Sequence, residues 1–322
     1  MIKTEMKNMQ QSIEAVNLTK KYGSFVALSG LNLKFEGAKC VGFLGPNGAG
    51  KTTTLKLFTD MIRPSAGHAL INGIDVHENK RDALSSCTAL IETPEIYPSL
   101  TPAEALSMIA EIRGVSSNER NIRIEESLNE VKMLEWKDKK VGKFSKGMKQ
   151  RVNIASVLIS DPSIIMLDEP TTGLDPRGMS EVREIVKSLK RKNRLIFMSS
   201  HLLNEVTDVC DEVAMIDHGK LLVYDSILNV IQKFSENGSN IIEVGFSRAI
   251  DENIMEKIGK LENVKATSKI DETNLRMEIL GDIKVQEALF YELANMKIGV
   301  ISFKPSSSAL ESTYLNMIKE TL

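Results

Sequence analysis

The chain has 322 residues, with 41 Lys plus Arg against 43 Asp plus Glu and a formal net charge of −2. At roughly 150 residues per domain this length predicts about two domains with sizeable cores. The balanced charge excludes the general basic surplus of a nucleic-acid-coating protein, so no nucleic acid is expected as a partner and any anion must be held in a local pocket. Cys40, Cys87 and Cys210 are odd in number and lack metal-ligand spacing, which predicts reduced thiols in a cytosolic chain rather than a disulfide framework. The polar start carries no apolar core of a signal peptide, and nowhere do about 18 apolar residues run together, so work at a membrane would need another chain to span it.

Residues 1–12 read as a loose polar arm. "SIEAVNLTKKYG", "FVALSGLNLKF" and "AKCVGFLG" read as strands, the last running into the glycine-rich "GPNGAGKTTT" and a helix from Lys51 to about Ile62. Helical patterns fill an insert at about 94–150, "PAEALSMIAEIRG" and "NIRIEESLNEVKMLEW" among them. Then come a helix at Lys146, the apolar run "SIIMLDEP", a helix from Pro176 to about Lys190, the run "RLIFMSSH", a short helix and "EVAMIDHGKLLVYDS". Apolar strands alternating with helices predict an α/β domain over 13–225 whose mostly parallel sheet is covered on both faces. The helical "ILNVIQKF" and the polar "SENGSN" read as a linker at 226–240. From 241 to 322 the predicted order is β-α-β-β-α-β, that of a ferredoxin-like unit, followed by a closing helix "SALESTYLNMIKE".

Gly45 to Thr52 fits a phosphate loop, two glycines four residues apart followed by lysine and a hydroxyl, between an apolar strand and a helix. Backbone N–H groups from Gly45 through Asn47, Gly48 and Gly50 to Thr53 would wrap phosphate. Lys51 would reach the β/γ-phosphates of ATP and Thr52 would hold Mg²⁺. "SIIMLDEP" ends in two carboxylates where open α/β sheets bind ligands. Asp168 is placed to hold the Mg²⁺, and Glu169 to take a proton from attacking water, a role worth ~10²–10⁴-fold in rate. His201, ending the next strand, would donate to the γ-phosphate as a neutral imidazole. Tyr22 reads either as a flat face for adenine or as an ordinary turn tyrosine. "FSKGMKQRVNIASVL" raises a further question, because Ser145 and Gly147 begin a helix whose free N–H groups form a second anion site.

These elements, from about Ser12 to Asp225, together resemble the ATP-binding cassette ATPases. "FSKGMKQR" is similar to that family's signature sequence, with Ser145 and Gly147 kept and Phe144, Lys146 and Met148 departing from it. "TTGLDP", which holds Asp175, resembles the D-loop. The resemblance implies a cassette with an antiparallel β subdomain and a helical insert. It also implies a head-to-tail dimer in which Ser145 and Gly147 grip the γ-phosphate bound by a second cassette. Lys146 either adds to that grip or is simply solvated.

Glu92, in "ALIETPEIYPSLT", stands where the family's Q-loop usually has glutamine. A carboxylate there still offers Mg²⁺ an oxygen, and this form resembles the bacitracin-resistance and lantibiotic-immunity exporters. The leading expectation is therefore the ATPase subunit of an exporter, at the inner face of the cell membrane through a separate permease that docks near Glu92 to Tyr97. The alternative is a soluble cassette ATPase acting in DNA repair or on the ribosome. A short insert without sustained heptads, and a single cassette, count against that alternative. The 241–322 unit, without a catalytic constellation, is expected either to regulate or support the dimer or simply to pack as an accessory.

Overall fold

The computed structural model describes residues 11–92, 95–234, 239–281 and 283–305. Most of the expected arm, the first residue of the expected insert and the closing helix lie outside the described residues. By contact the chain divides into a unit ending at Tyr224 and a second beginning at Asp225.

In the first unit, β1 (Ser12–Tyr22) and β2 (Phe25–Glu36) pair antiparallel, and β1 also pairs with β4 (Ala66–Ile71). With β5 (Ile74–Asp75) they make a sheet of order β2-β1-β4-β5. Alternate residues such as Leu31, Leu33 and Phe35 point to one buried face, as period-two strands require. The second sheet has the order β10-β9-β3-β8-β7-β6. Its strands β3 (Cys40–Leu44), β7 (Ile164–Asp168) and β8 (Leu195–Ser200) are near-continuous apolar runs and pair parallel, as does β6 (Cys87–Leu90) with β7. β9 (Glu212–Asp217) lies parallel to β3 and turns through His218 and Gly219 into β10 (Lys220–Ser226). The final apolar run is thus two strands.

The two sheets share one core. Phe35 of the antiparallel sheet lies 4.9 Å, ring to ring, from Phe197 of the parallel one, and Phe43 and Phe58 close on Phe197 at 5.3 and 6.2 Å. Phe58 belongs to α1 (Lys51–Phe58), which stops short of the expected Ile62. Strands β4 to β6 and the short α2 (Lys80–Ala83) occupy a stretch the sequence reading left unassigned. Asn72 and Gly73 both have positive φ, +52° and +75°, which makes "ING" the tight turn between β4 and β5.

The insert contains α3 (Pro102–Ile112), started by a Thr101/Glu104 capping box, then α4 (Ser117–Glu130) and α5 (Lys146–Leu158). Arg194, 4 % exposed, reaches from the start of β8 to Glu130 at 2.8 Å and Asp161 at 3.0 Å, and so ties the end of α4 to the core. The helices α6 (Pro176–Lys190) and α7 (Leu203–Val209) follow β7 and β8. Gly42 lets α7 close on β3, because a Cβ there would stand 2.5 Å from Val206. Cys40 and Cys210, distant in sequence, come within 3.5 Å at their sulfurs, and all three cysteines are buried free thiols.

The second unit begins with α8 (Ile227–Phe234). It continues as β11 (Ser239–Phe246), α9 (Glu252–Gly259), β12 (Val264–Lys269), β13 (Asn274–Leu280), α10 (Ile283–Asn295) and β14 (Val300–Pro305). Its sheet, of order β12-β13-β11-β14, is antiparallel throughout and encloses a core of its own around Val244, Ile258, Met277 and Leu293.

Candidate functional site

The carboxyl ends of β3, β7 and β8 converge on one cluster. β3 passes through Gly45, whose N–H donates to the Ser200 carbonyl at 3.3 Å, into the loop that starts α1. Gly50 has φ +106°, and a Cβ there would stand 2.7 Å from the Ala27 carbonyl, so this turn admits no other residue without a shift. The next residue, Lys51, is buried. Its Nζ donates to the carbonyls of Gly45 (2.8 Å) and Pro46 (3.0 Å) and lies 3.3 Å from Glu169 Oε1.

Thr52 Oγ1 donates to Asp168 Oδ2 at 2.8 Å, while Ser199 Oγ donates to Asp168 Oδ1 at 2.5 Å. The Glu169 N–H donates to the same Ser199 hydroxyl at 2.9 Å, so one buried serine fixes both acids. Glu169 itself adopts φ +44°, an uncommon conformation for a residue with a side chain, and such outliers gather at functional sites. Its Oε2 accepts from Thr172 Oγ1 at 2.8 Å and lies 3.0 Å from His201 Nδ1. Burial alone would raise the Glu169 carboxyl. The Thr172 hydrogen bond and the charges of Lys51 and His201 outweigh it and hold the carboxyl below its usual range. Beneath this cluster, buried Glu205 accepts from the hydroxyls of Thr171 and Ser200 and braces the loop after Glu169 against β8.

The His201 geometry refines the expectation from sequence. A ring facing a carboxylate through Nδ1 carries its proton there, so the neutral form presents a bare Nε2. Donation from Nε2 to a phosphate requires the doubly protonated ring.

The other expected residues are placed as follows. Asn47, Gly48 and Thr53 lie on the loop and first turn of α1, beside Lys51 and Thr52. Tyr22 ends β1, half exposed and opposite Phe25, with Lys20 Nζ 5.0 Å above its ring. Glu92 is 71 % exposed at φ +57° and bonds Lys56 Nζ at 2.6 Å. Ser145 caps α5, accepting from the Met148 N–H at 3.2 Å, and Gly147 packs on Gly178, where a Cβ would find the Gly178 Cα at 3.4 Å. Asp175 caps α6 through the Gly178 N–H at 2.9 Å.

Among the described residues no hydrogen bond or ion pair joins Ser145 or Gly147 to the phosphate loop. Their helix is tied instead to the loop beyond Glu169, by Lys146 Nζ to the Gly173 carbonyl (3.2 Å) and Gln150 Nε2 to the Pro170 carbonyl (2.8 Å). Sequence reasoning passed over Ser199, Thr172 and Lys56. Only Ser199 carried a signal, as one of two hydroxyls closing an otherwise apolar strand.

The arrangement suits a phosphorylated ligand and a hard cation. Thr52 and Asp168 offer oxygens 2.8 Å apart, and Ser199 and Thr52 orient the carboxylate, so the donor set fits Mg²⁺. Lys51 supplies the local positive charge for the anion.

The family model described as ABC transporter matches residues 28–172. The chain is 42 % identical over 215 residues to the bacitracin transport ATP-binding protein BcrA of Bacillus licheniformis, covering 66 % of this chain and 69 % of that one. Across both units it is 28 % identical over 312 residues to the linearmycin resistance ATP-binding protein LnrL of Bacillus subtilis (strain 168), covering 96 % and 99 %. Among solved structures, the ATP-binding subunit of an ABC transporter superposes with a TM-score of 0.61 at 28 % identity, covering 69 % of this chain and 92 % of that chain.

Proposed function

The chain belongs to the ABC transporter ATP-binding family, and from that premise we propose that it is the ATPase subunit of an exporter for peptide antibiotics or other amphipathic compounds. The observation that carries the ATPase reading is the bonded set of Lys51, Thr52, Asp168, Glu169 and His201 at adjacent strand ends. The exporter class rests on the relatives that carry bacitracin or confer linearmycin resistance, together with the carboxylate at Glu92.

In this reading the N–H groups of Asn47, Gly48 and Gly50 and the Lys51 ammonium bind the β- and γ-phosphates of ATP, and Gly45 shapes the loop. Thr52 and Asp168 hold a Mg²⁺, which when bound neutralises phosphate charge. Glu169, kept ionised by its neighbours, accepts the proton of the attacking water, and His201 turns its outer nitrogen to the γ-phosphate. Tyr22 lies on a hairpin that meets the loop at Ala27, which supports an adenine contact. Ser145 and the Gly147 N–H complete the site of a second cassette, and Asp175, capping α6, holds the loop between them.

A separate permease docks beside the insert, where Tyr97, Met108 and Ile112 are exposed, and places the subunit at the inner face of the membrane. Among the described residues no helix is long and apolar enough to cross a membrane. The experiment is a deletion strain challenged with a panel of peptide antibiotics, DNA-damaging agents and translation inhibitors. Sensitivity to membrane-active peptides that is restored by the native chain and not by Glu169→Gln is the expected result. Sensitivity confined to DNA damage or to translation inhibitors would overturn it in favour of a non-transport ATPase.

A further inference from the structure

Glu92 presents a problem of charge. Leu90 of β6 pairs with Leu167 of β7, and two residues beyond each come Glu92 and Glu169, both held at positive φ. The carboxylates of Glu92, Asp168 and Glu169 therefore leave the ends of neighbouring parallel strands. An anionic ligand would meet Asp168 and Glu169, with Glu92 on the extension of the neighbouring strand, and Lys51 is the buried cation bonded to this cluster.

Lys56 resolves it. It stands four residues after Thr52 on α1, one helical turn along the same face, and its Nζ meets Glu92 Oε1 at 2.6 Å. Lys56 is largely covered, at 25 %, whereas the Glu92 side chain is 71 % exposed, so the lysine is the fixed member and the carboxylate the movable one. The pair joins the helix that begins at the phosphate loop to the segment entering the insert, 36 residues away in sequence.

We propose that Lys56 is a positioning residue that makes Glu92 the electrical equivalent of a neutral amide: it cancels the carboxylate beside the nucleotide and competes with Mg²⁺ for it. The inference rests on the nucleotide reading above. It follows that metal and lysine draw on one carboxylate from two sides. The first turn of α1, which carries Thr52, thereby senses whether Glu92 is engaged. An ordinary structural tie between α1 and the loop makes a different forecast, because removing either partner would loosen the same region in the same direction.

The test uses the full chain and a fluorescent, non-hydrolysable ATP analogue. The quantity read is the ratio of its affinity with saturating Mg²⁺ to its affinity in chelator. Lys56→Met, which frees the carboxylate, is expected to raise that ratio by about threefold, and Glu92→Gln, which leaves the lysine uncompensated, to lower it by about as much. The Lys56→Met/Glu92→Gln double variant should return to within about twofold of the native ratio, and Lys56→Arg should keep it. Shifts of the same sign in both single variants, or a double variant displaced by the sum of both, would overturn the inference while leaving the nucleotide reading in place. A native chain whose analogue binding ignores Mg²⁺ altogether would overturn that reading, and this inference with it. Thermal unfolding of each variant separates loss of fold from loss of charge balance.

Discussion

At the ends of β3, β7 and β8 the side chains of Lys51, Thr52, Asp168, Glu169 and His201 bond to one another. At the start of α5, among the described residues, Ser145 bonds only within its own helix and Gly147 packs on Gly178. Both places offer free N–H groups to an anion, yet only the first surrounds it with a base, a cation and oxygen donors for a metal. The difference teaches that the first place is a cluster of mutually bonded groups, whereas the second, in the proposed reading, is half of a site that a second chain would complete. What links them is mechanical: Lys146 and Gln150 hold the carbonyls of Gly173 and Pro170, within a few residues of Glu169. In the proposed reading, an anion gripped by α5 would therefore be felt at Glu169.

The largest expected effect breaks the first region alone. Glu169→Gln should lower ATP hydrolysis by ~10²–10⁴-fold in a steady-state assay while nucleotide affinity is kept, since the amide removes the base and leaves Lys51 and Thr52 in place. Next, Arg194→Met strikes the attachment of the insert. It leaves the partly buried Glu130 to Lys192 alone, and a loss of about 1–3 kcal/mol of stability in urea unfolding is expected.

The same pair sets a pH dependence. Burial would raise the Glu130 carboxyl, but the hydrogen bonds and charges of Arg194 and Lys192 hold it below the ordinary value of about 4.3. Its contribution is thus present above the unfolded value and is lost as pH falls through the lower folded one. Acid titration of the native chain by circular dichroism should show this loss, and Arg194→Met should flatten it.

Ser199→Ala comes third, because it strands the Glu169 N–H and one Asp168 oxygen. About 1–3 kcal/mol of stability should go, with hydrolysis falling more than ATP binding. The smallest effect is that of Lys146→Ala on the mechanical link. An exposed lysine bond contributes below about 1 kcal/mol, so stability should hold while hydrolysis falls by only a few-fold.

How much of this was legible in the sequence follows from where the information lies. Asp168, Glu169 and His201 close apolar runs and Lys51 closes a glycine-rich loop, so local pattern alone located them. Their partners were harder to read: Ser199, marked only as a hydroxyl closing an apolar strand, meets Asp168 across 31 residues, and Lys56 of α1 meets Glu92 across 36, pairings that only the tertiary fold creates. Strands β5 and β6 are too short for period-two alternation to register, although "ING" carried a readable turn. The carboxylate 3.0 Å from His201 Nδ1 could not be foreseen either, because it comes from the end of another strand, 32 residues away. The exporter family was readable because its motifs are contiguous in the sequence.

The most direct test of the two-chain site is the mass in solution of the Glu169→Gln chain, by light scattering with and without Mg-ATP, beside Glu169→Gln/Ser145→Arg. The account predicts that Mg-ATP doubles the mass of the first and leaves the second a monomer, since an arginine at Ser145 blocks the grip on the other chain's phosphate. A double variant that still dimerises, or a single variant that binds ATP and stays monomeric, would contradict it.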